Sequence, residues 1–202
     1  MILEAPTSTP EALDGGDDFV PSVEGASALI PRKGPKQKPG KSRQDYATPG
    51  EFVEAVARRL GHPFIDLAAS ASNAKAGRFI TAEKDSLVQP WADILNDEVT
   101  YAGYAVAWLN PPFANLDDWA RKGAHESALM HPRATVAMLC PASVGTNWWS
   151  AHVDCHAAEV LFLSPRITFV GEKDAYPKDL ALIIYRGEVD GGTMYRPWRW
   201  KP

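Results

Sequence analysis

The chain has 202 residues, 45% hydrophobic and 23% charged, with a formal net charge of −4. That is enough for one globular domain with a sizeable core plus a tail, and the acidic balance excludes an overall basic footprint for nucleic acid. No apolar run reaches a membrane span, the N-terminus lacks a signal-peptide pattern, and two unpartnered cysteines fit neither a disulfide framework nor a metal site.

Residues 1–44 read as a disordered tail. Met1–Glu24 carries six acids and no Lys or Arg. Pro31–Arg43 then carries Arg32, Lys33, Lys36, Lys38, Lys41 and Arg43 with no acid. Such composition buries too little apolar surface to offset its ordering entropy. Either the basic part is an arm that tracks phosphates, through Lys36, Lys38, Lys41 and Arg43, or it is a solvated linker.

The domain is predicted over residues 45–202. Thr48-Pro49-Gly50-Glu51 has helix-start chemistry, with Thr48 as N-cap and Pro49 in the first helical position. Phe52, Val53, Val56, Ala57 and Leu60 follow at helical spacing, and Gly61 stops the helix. Phe64–Ala69 predicts a buried parallel strand carrying one acid, Asp66, with a small polar loop after it. Arg78–Thr81 predicts a second strand, with Glu83 and Asp85 just beyond. Leu87, Val88 and Trp91 suggest a turn or helix broken by Pro90, and Ile94–Ala102 reads as a loop. Ala102–Leu109 is a third strand. Leu116–Met130 has a helical face ended by Pro132. Strands are predicted at Ala134–Cys140, Glu159–Leu163 and Asp179–Tyr185, with a loop or short helix at Asn147–His152. The basic and aromatic terminus, Arg196 to Lys201, is either a nucleic-acid surface or an edge strand with its rings packed inward. Strands of continuous apolarity separated by helices predict an α/β fold: a mainly parallel sheet with helices on both faces. Ligands bind such sheets at the carboxyl ends of the strands. Asp66, Glu83, Asp85, Asn110–Phe113 and Pro141–Asn147 all fall there.

Asn110-Pro111-Pro112-Phe113 specifies chemistry. Two prolines end the strand in a stiff turn. The Asn110 amide oxygen and the Pro111 carbonyl are acceptors, and Phe113 offers a ring face. The turn suits a planar, amino-bearing group: two acceptors on its N–H bonds favour a more tetrahedral nitrogen as a bond forms.

This tetrapeptide after a strand resembles the catalytic motif of S-adenosylmethionine-dependent amino-methyltransferases. Together with Thr48-Pro49, Asp66–Ser70 with Asn73-Ala74, Phe79–Thr81 with Glu83 and Asp85–Leu87, Trp91, Trp119, Trp148-Trp149 and Arg166–Phe169, the ordered set resembles the phage-type Dam family of DNA N6-adenine methyltransferases. The resemblance spans Asp45 to Tyr185. It implies a Rossmann-like methyltransferase fold, S-adenosylmethionine as cofactor, no metal, DNA as partner, and a phage- or prophage-encoded protein acting in the bacterial host cytoplasm. It implies that Asn110, Pro111, Pro112 and Phe113 hold the target amine and base. Thr48, Pro49, Asp66, Ala68, Ala69, Ser70 and Asn73 would line the cofactor pocket, and Glu83 or Asp85 would bond its ribose or adenine. Ala68, Ala69 and Ser70 stand where glycines are common in such loops. For DNA, one of Trp148 and Trp149 would be core and the other a contact, while Arg166 would meet a phosphate or a surface acid. RNA adenine, a protein glutamine amide, or a silent nucleic-acid-binding module of the same fold are the alternatives. Recognition would come from loops such as Ile94–Ala102, Val144–Trp149 and Thr168–Lys178, or from the tails.

Overall fold

The computed structural model describes residues 46–188 and 191–202. The predicted tail of residues 1–44, with Lys36, Lys38, Lys41 and Arg43, lies outside the described residues.

The chain order is α1 (Gly50–Leu60), β1 (Ile65–Asp66), β2 (Arg78–Phe79), α2 (Trp91–Ala102), β3 (Ala105–Leu109), α3 (Leu116–Ser127), β4 (Ala134–Pro141), α4 (Asn147–His152), β5 (Glu159–Ser164), β6 (Leu180–Arg186) and β7 (Met194–Arg199), with short 3-10 turns at Ala82–Lys84, Ser86–Val88 and Phe113–Asn115. The strands form one sheet in the order β2-β1-β3-β4-β6-β5-β7. β6 runs antiparallel to both β4 and β5, and every other pairing is parallel. The Rossmann-like, mainly parallel sheet expected from the sequence is present.

Alternation along the central strands sends neighbouring side chains to opposite faces. Ala105, Ala107, Leu109, Val136, Met138, Cys140, Ile183 and Tyr185 share a core with Trp91, Leu95, Ala120 and Trp149, from α2, α3 and α4. Trp108, Ala137, Leu139, Leu182 and Ile184 share a second core with Phe52 and Val56 of α1 and with Ile167, Phe169 and Trp200. Burial on both faces explains why β3 and β4 are apolar without a break.

The structure corrects several boundaries. β1 and β2 are two residues each, because only that stretch pairs on the ladder, although Leu67 N–H still reaches the Trp108 carbonyl at 2.9 Å and Ile80 N–H the Asp66 carbonyl at 2.8 Å. Ile94–Ala102 is not a loop. Pro90 sits at the N-cap of α2, where a missing N–H costs nothing, and Trp91, Leu95 and Val99 then recur at helical spacing on a buried face. The buried Glu126 carboxylate of α3 accepts the Ala92 N–H at 2.7 Å and pairs with Lys122 at 2.6 Å, capping α2 from another helix. β3 therefore begins at Ala105, after Gly103 has closed α2 in the left-handed region. α3 stops at Ser127, before Met130. Thr48 does not cap α1. Pro49 takes the N-cap position without a side-chain cap bond.

The terminus is the edge strand of the two readings. Trp200 is buried, donates Nε1–H to the Pro165 carbonyl at 2.6 Å, and meets the Phe52 ring edge-on at 5.1 Å. Arg196 lies 3.8 Å from Glu159, and Lys201 pairs with Glu51 at 3.0 Å.

Among the described residues, no helix is long and apolar enough to cross a membrane.

Candidate functional site

The site is built on the carboxyl end of β3. Strand pairing ends at Leu109, and the two prolines carry the chain into the 3-10 turn Phe113–Asn115 and then α3. The register levels the neighbouring strands with it. Asp66 pairs with Trp108, so Ala68 and Asn110 each stand two residues beyond that rung. Leu109 pairs with Met138, which brings Pro141 to the same end.

Asn110 has a defined orientation. Its Nδ2 donates to the Tyr46 carbonyl at 2.7 Å and to Thr48 Oγ1 at 3.1 Å. The Tyr46 carbonyl can only accept, so the NH2 end must face it. Oδ1 is then turned the other way. It is, among the described residues, the one buried side-chain polar atom with no hydrogen-bond partner. A buried acceptor left in that condition costs about 1–3 kcal/mol, so it marks a place where a donor belongs.

Phe113 is held by rings that sequence reasoning did not assign to the site. Tyr176 meets it edge-on at 5.7 Å and Phe169 at 6.3 Å, while Tyr46 tilts against it at 6.1 Å and stacks on Phe169 at 4.9 Å. Phe169 and Tyr176 come from the β5–β6 connection, which is tied down by Val170 N–H to the Ala47 carbonyl at 2.9 Å and Tyr176 N–H to the Ile167 carbonyl at 2.8 Å. Burial, with Tyr46 beside it, pushes the Tyr176 phenol up. A cavity of about 290 Å³ opens against this cluster, lined by Phe113, Pro141, Ser143, Trp148, Tyr176 and Lys178 among others. Tyr46, Tyr176, Ser143 and Lys178 carry no local pattern of their own; Ser143 lies within Pro141–Asn147, and Tyr176 and Lys178 within Thr168–Lys178, the two stretches that the sequence marks.

The residues expected on the cofactor side fall into three groups. Asp66, only 2% exposed, accepts N–H from Ala68 at 3.2 Å and from Lys75 at 2.9 Å, so both carboxylate oxygens staple the loop after β1. Asn73 Oδ1 accepts the Ser70 N–H at 2.7 Å, and Ser70 Oγ lies 3.0 Å from Ser72 Oγ, shaping the same loop. Thr48, buried, accepts a hydrogen bond from Asn110 Nδ2, and the half-buried Pro49 follows it. Glu83 is exposed beyond β2, and a hydrogen bond from the Thr81 hydroxyl holds its carboxyl below the usual range. Asp85 caps the Ser86–Val88 turn by accepting the Leu87 N–H at 3.2 Å.

Of the DNA-side expectations, Trp149 is core: it is 1% exposed and its ring cannot meet a ligand. Trp148, tilted on it at 5.4 Å, is the half-exposed one and lines the cavity. Arg166 pairs with Asp179, its Nη2 at 2.8 Å.

Burial pushes the Asp66 carboxyl above its usual range, against the opposing effect of the Lys75 and Ala68 N–H bonds. A raised carboxyl is penalised for ionising in the fold. Its contribution to stability is therefore full below the unfolded value near 3.8 and is lost as pH rises through the raised folded value. Urea unfolding from about pH 4 to 7 should show wild type losing stability relative to Asp66→Asn as pH rises. The opposite slope would mean that the two backbone donors outweigh burial.

Comparison with known proteins sets a family model, a phage protein and a solved structure beside this chain. The family model described as DNA N-6-adenine-methyltransferase (Dam) matches residues 36–181. A DNA N-6-adenine-methyltransferase of Escherichia phage T1 is 27% identical over 159 residues, covering 77% of this chain and 61% of that protein, so the chain spans about three fifths of that relative's length. A crystal structure of a predicted O-methyltransferase, protein Atu636 from Agrobacterium tumefaciens, aligns over 72% of this chain and 73% of its own, at 18% identity and a TM-score of 0.36, a likeness too loose to carry any feature across.

Proposed function

Because this chain belongs to the DNA N-6-adenine-methyltransferase (Dam) family, we propose that it transfers a methyl group from S-adenosylmethionine to the N6 amine of adenine in DNA. The observation that carries the reading is the orphaned Asn110 Oδ1 at the head of Asn-Pro-Pro-Phe. An exocyclic amine has N–H bonds to give, and Oδ1 is a buried acceptor held ready for one. Accepting that N–H draws electron density onto the nitrogen as the new bond forms, and fixed dipoles do this without reorganising. The Pro111 carbonyl is the second acceptor in the proposal. Phe113, braced by Tyr176 and Phe169, offers a stacking wall, and the cavity beside it is the place for the base. Adenine in a duplex would have to leave the stack to reach it. Trp148 and Lys178 stand at that cavity and are the nearest candidates for nucleic-acid contact.

The cofactor residues fit the role. The loop over Ala68–Asn73 has small side chains, so a ligand can approach its backbone, and Asp66 holds it in shape. The register sets it level with Asn110. Pro49 and Thr48 border the same end, and Glu83, exposed beyond β2, is better placed than the capping Asp85 to bond ribose hydroxyls. S-adenosylmethionine, when bound, supplies an electrophilic methyl group. The chain supplies proximity and the polarised acceptor.

The test is expression in a host without adenine methylation, followed by sequencing of its DNA for N6-methyladenine. Modified adenine at a defined context is the expected outcome. Unmodified DNA, with labelled methyl instead entering RNA or protein in a competition assay, would overturn the reading.

A further inference from the structure

We propose that Thr48 is a positioning residue for the transfer step, rather than only a wall of the cofactor pocket. With the Tyr46 carbonyl, it aims the Asn110 amide so that oxygen and not nitrogen faces the acceptor amine. The inference rests on the methyltransferase reading of this site, but its geometry stands on three observations.

First, an asparagine side chain has two ends of nearly equal shape and opposite polarity. Turned over, Asn110 would present N–H bonds to an amine that itself donates, and the site would repel its substrate. Something must choose the orientation. Second, the Nδ2 group has two N–H bonds and two acceptors, Tyr46 O at 2.7 Å and Thr48 Oγ1 at 3.1 Å. The donor end is fully used, so all unspent capacity of the side chain is at Oδ1. The carbonyl fixes which end is which; the hydroxyl, from a second direction, fixes the angle of the amide plane. Third, Thr48 is 1% exposed and sits in the segment pinned by Val170 N–H on the Ala47 carbonyl. Its hydroxyl is held in place and shielded from competing water, which strengthens the bond and makes its loss felt.

Thr48→Val keeps the shape and removes the acceptor. Thr48→Ser keeps the acceptor. The expected result for Thr48→Val is a fall in kcat of roughly five- to tenfold, the kinetic equivalent of one hydrogen bond, with KM for S-adenosylmethionine and for DNA unchanged and a melting temperature lowered by only a few degrees, because one Nδ2 hydrogen is left without its acceptor. Thr48→Ser should restore most of kcat. A second readout needs no activity. In ¹⁵N spectra of the full chain, the Asn110 side-chain amide pair, assigned by its disappearance in Asn110→Ala, should shift and exchange faster with solvent in Thr48→Val and return toward wild type in Thr48→Ser. Three results would overturn the proposal: an amide pair unmoved by Thr48→Val, wild-type kcat in that variant, or a raised KM for the cofactor at intact kcat, which would place the hydroxyl on the cofactor alone. Failure of the wild-type chain to methylate DNA would sink the methyltransferase reading instead, and the amide resonance would still decide the orientation.

Discussion

Asn110→Ala should lower the rate of methyl transfer at least about a hundredfold, the loss typical of removing one preorganised acceptor or donor from a reacting centre, while S-adenosylmethionine affinity stays as in wild type. The split follows from where the side chain spends its bonds. Both Nδ2 hydrogens go to the chain itself, at Tyr46 and Thr48, and the buried Oδ1 is the end left for the acceptor amine. Alanine therefore removes a contact made with the acceptor amine and leaves the Asp66 loop untouched. Stability should fall by about 1–3 kcal/mol, because the variant leaves two acceptors without their donor and abolishes only one buried acceptor that had no partner. Asn110→Asp sharpens the test. It keeps an acceptor oxygen toward the amine yet sets a second one against the Tyr46 carbonyl, which repels it, so activity should lie between alanine and wild type. Single-turnover transfer together with calorimetric cofactor binding reads both numbers. Wild-type turnover in Asn110→Ala, or lost cofactor binding with residual transfer, would remove Asn110 from the role.

The second large effect is structural. Gly187→Ala should destabilise the domain by about 2–4 kcal/mol, and roughly 2–4 °C of melting temperature accompanies each kcal/mol in a chain of this size. A Cβ at Gly187 would lie 1.9 Å from the Met130 carbonyl oxygen and 2.8 Å from its carbon, both backbone atoms that cannot rotate away. Relief requires moving either the exit of β6 or the turn that follows α3. The turn is held by His131 N–H on Asn96 Oδ1 at 2.7 Å and by Asn96 Nδ2 on the Leu129 carbonyl at 3.1 Å, so the strain would spread into α2. Gly145→Ala, where no atom lies within 4 Å of the added carbon, is the control and should stay within about 0.5 kcal/mol of wild type. Urea unfolding of the two variants side by side decides it; equal stability would show that the β6 exit yields easily.

The parts of this protein legible in the sequence are those governed by a few consecutive residues. Two prolines after an apolar run must end a strand. Phe52, Val56 and Leu60 must share a helix face, and an unbroken apolar stretch such as Ala134–Cys140 must be buried on both sides. From these come the α/β class, the helices on both faces and the location of Asn-Pro-Pro-Phe at a strand end. α2 belongs here too: Trp91, Leu95 and Val99 have the right spacing, and Pro90 reads as a breaker although a proline is harmless where no helical N–H is required.

Other features depend on residues far apart in the chain. The order that sets β6 antiparallel between β4 and β5 is a matter of which strand edges find each other. Trp148 and Trp149 are the same residue type in adjacent positions, yet about 100° of helical rotation sends one into the core and the other to the cavity, and only packing against the sheet selects which. The orientation of the Asn110 amide is set across 62 and 64 positions, by a carbonyl any residue could have supplied and a hydroxyl whose local context suggested a helix cap. Covalent geometry and periodicity act within a turn or two of chain. The aim of a side chain acts across the fold, and here the chemistry depends on that aim.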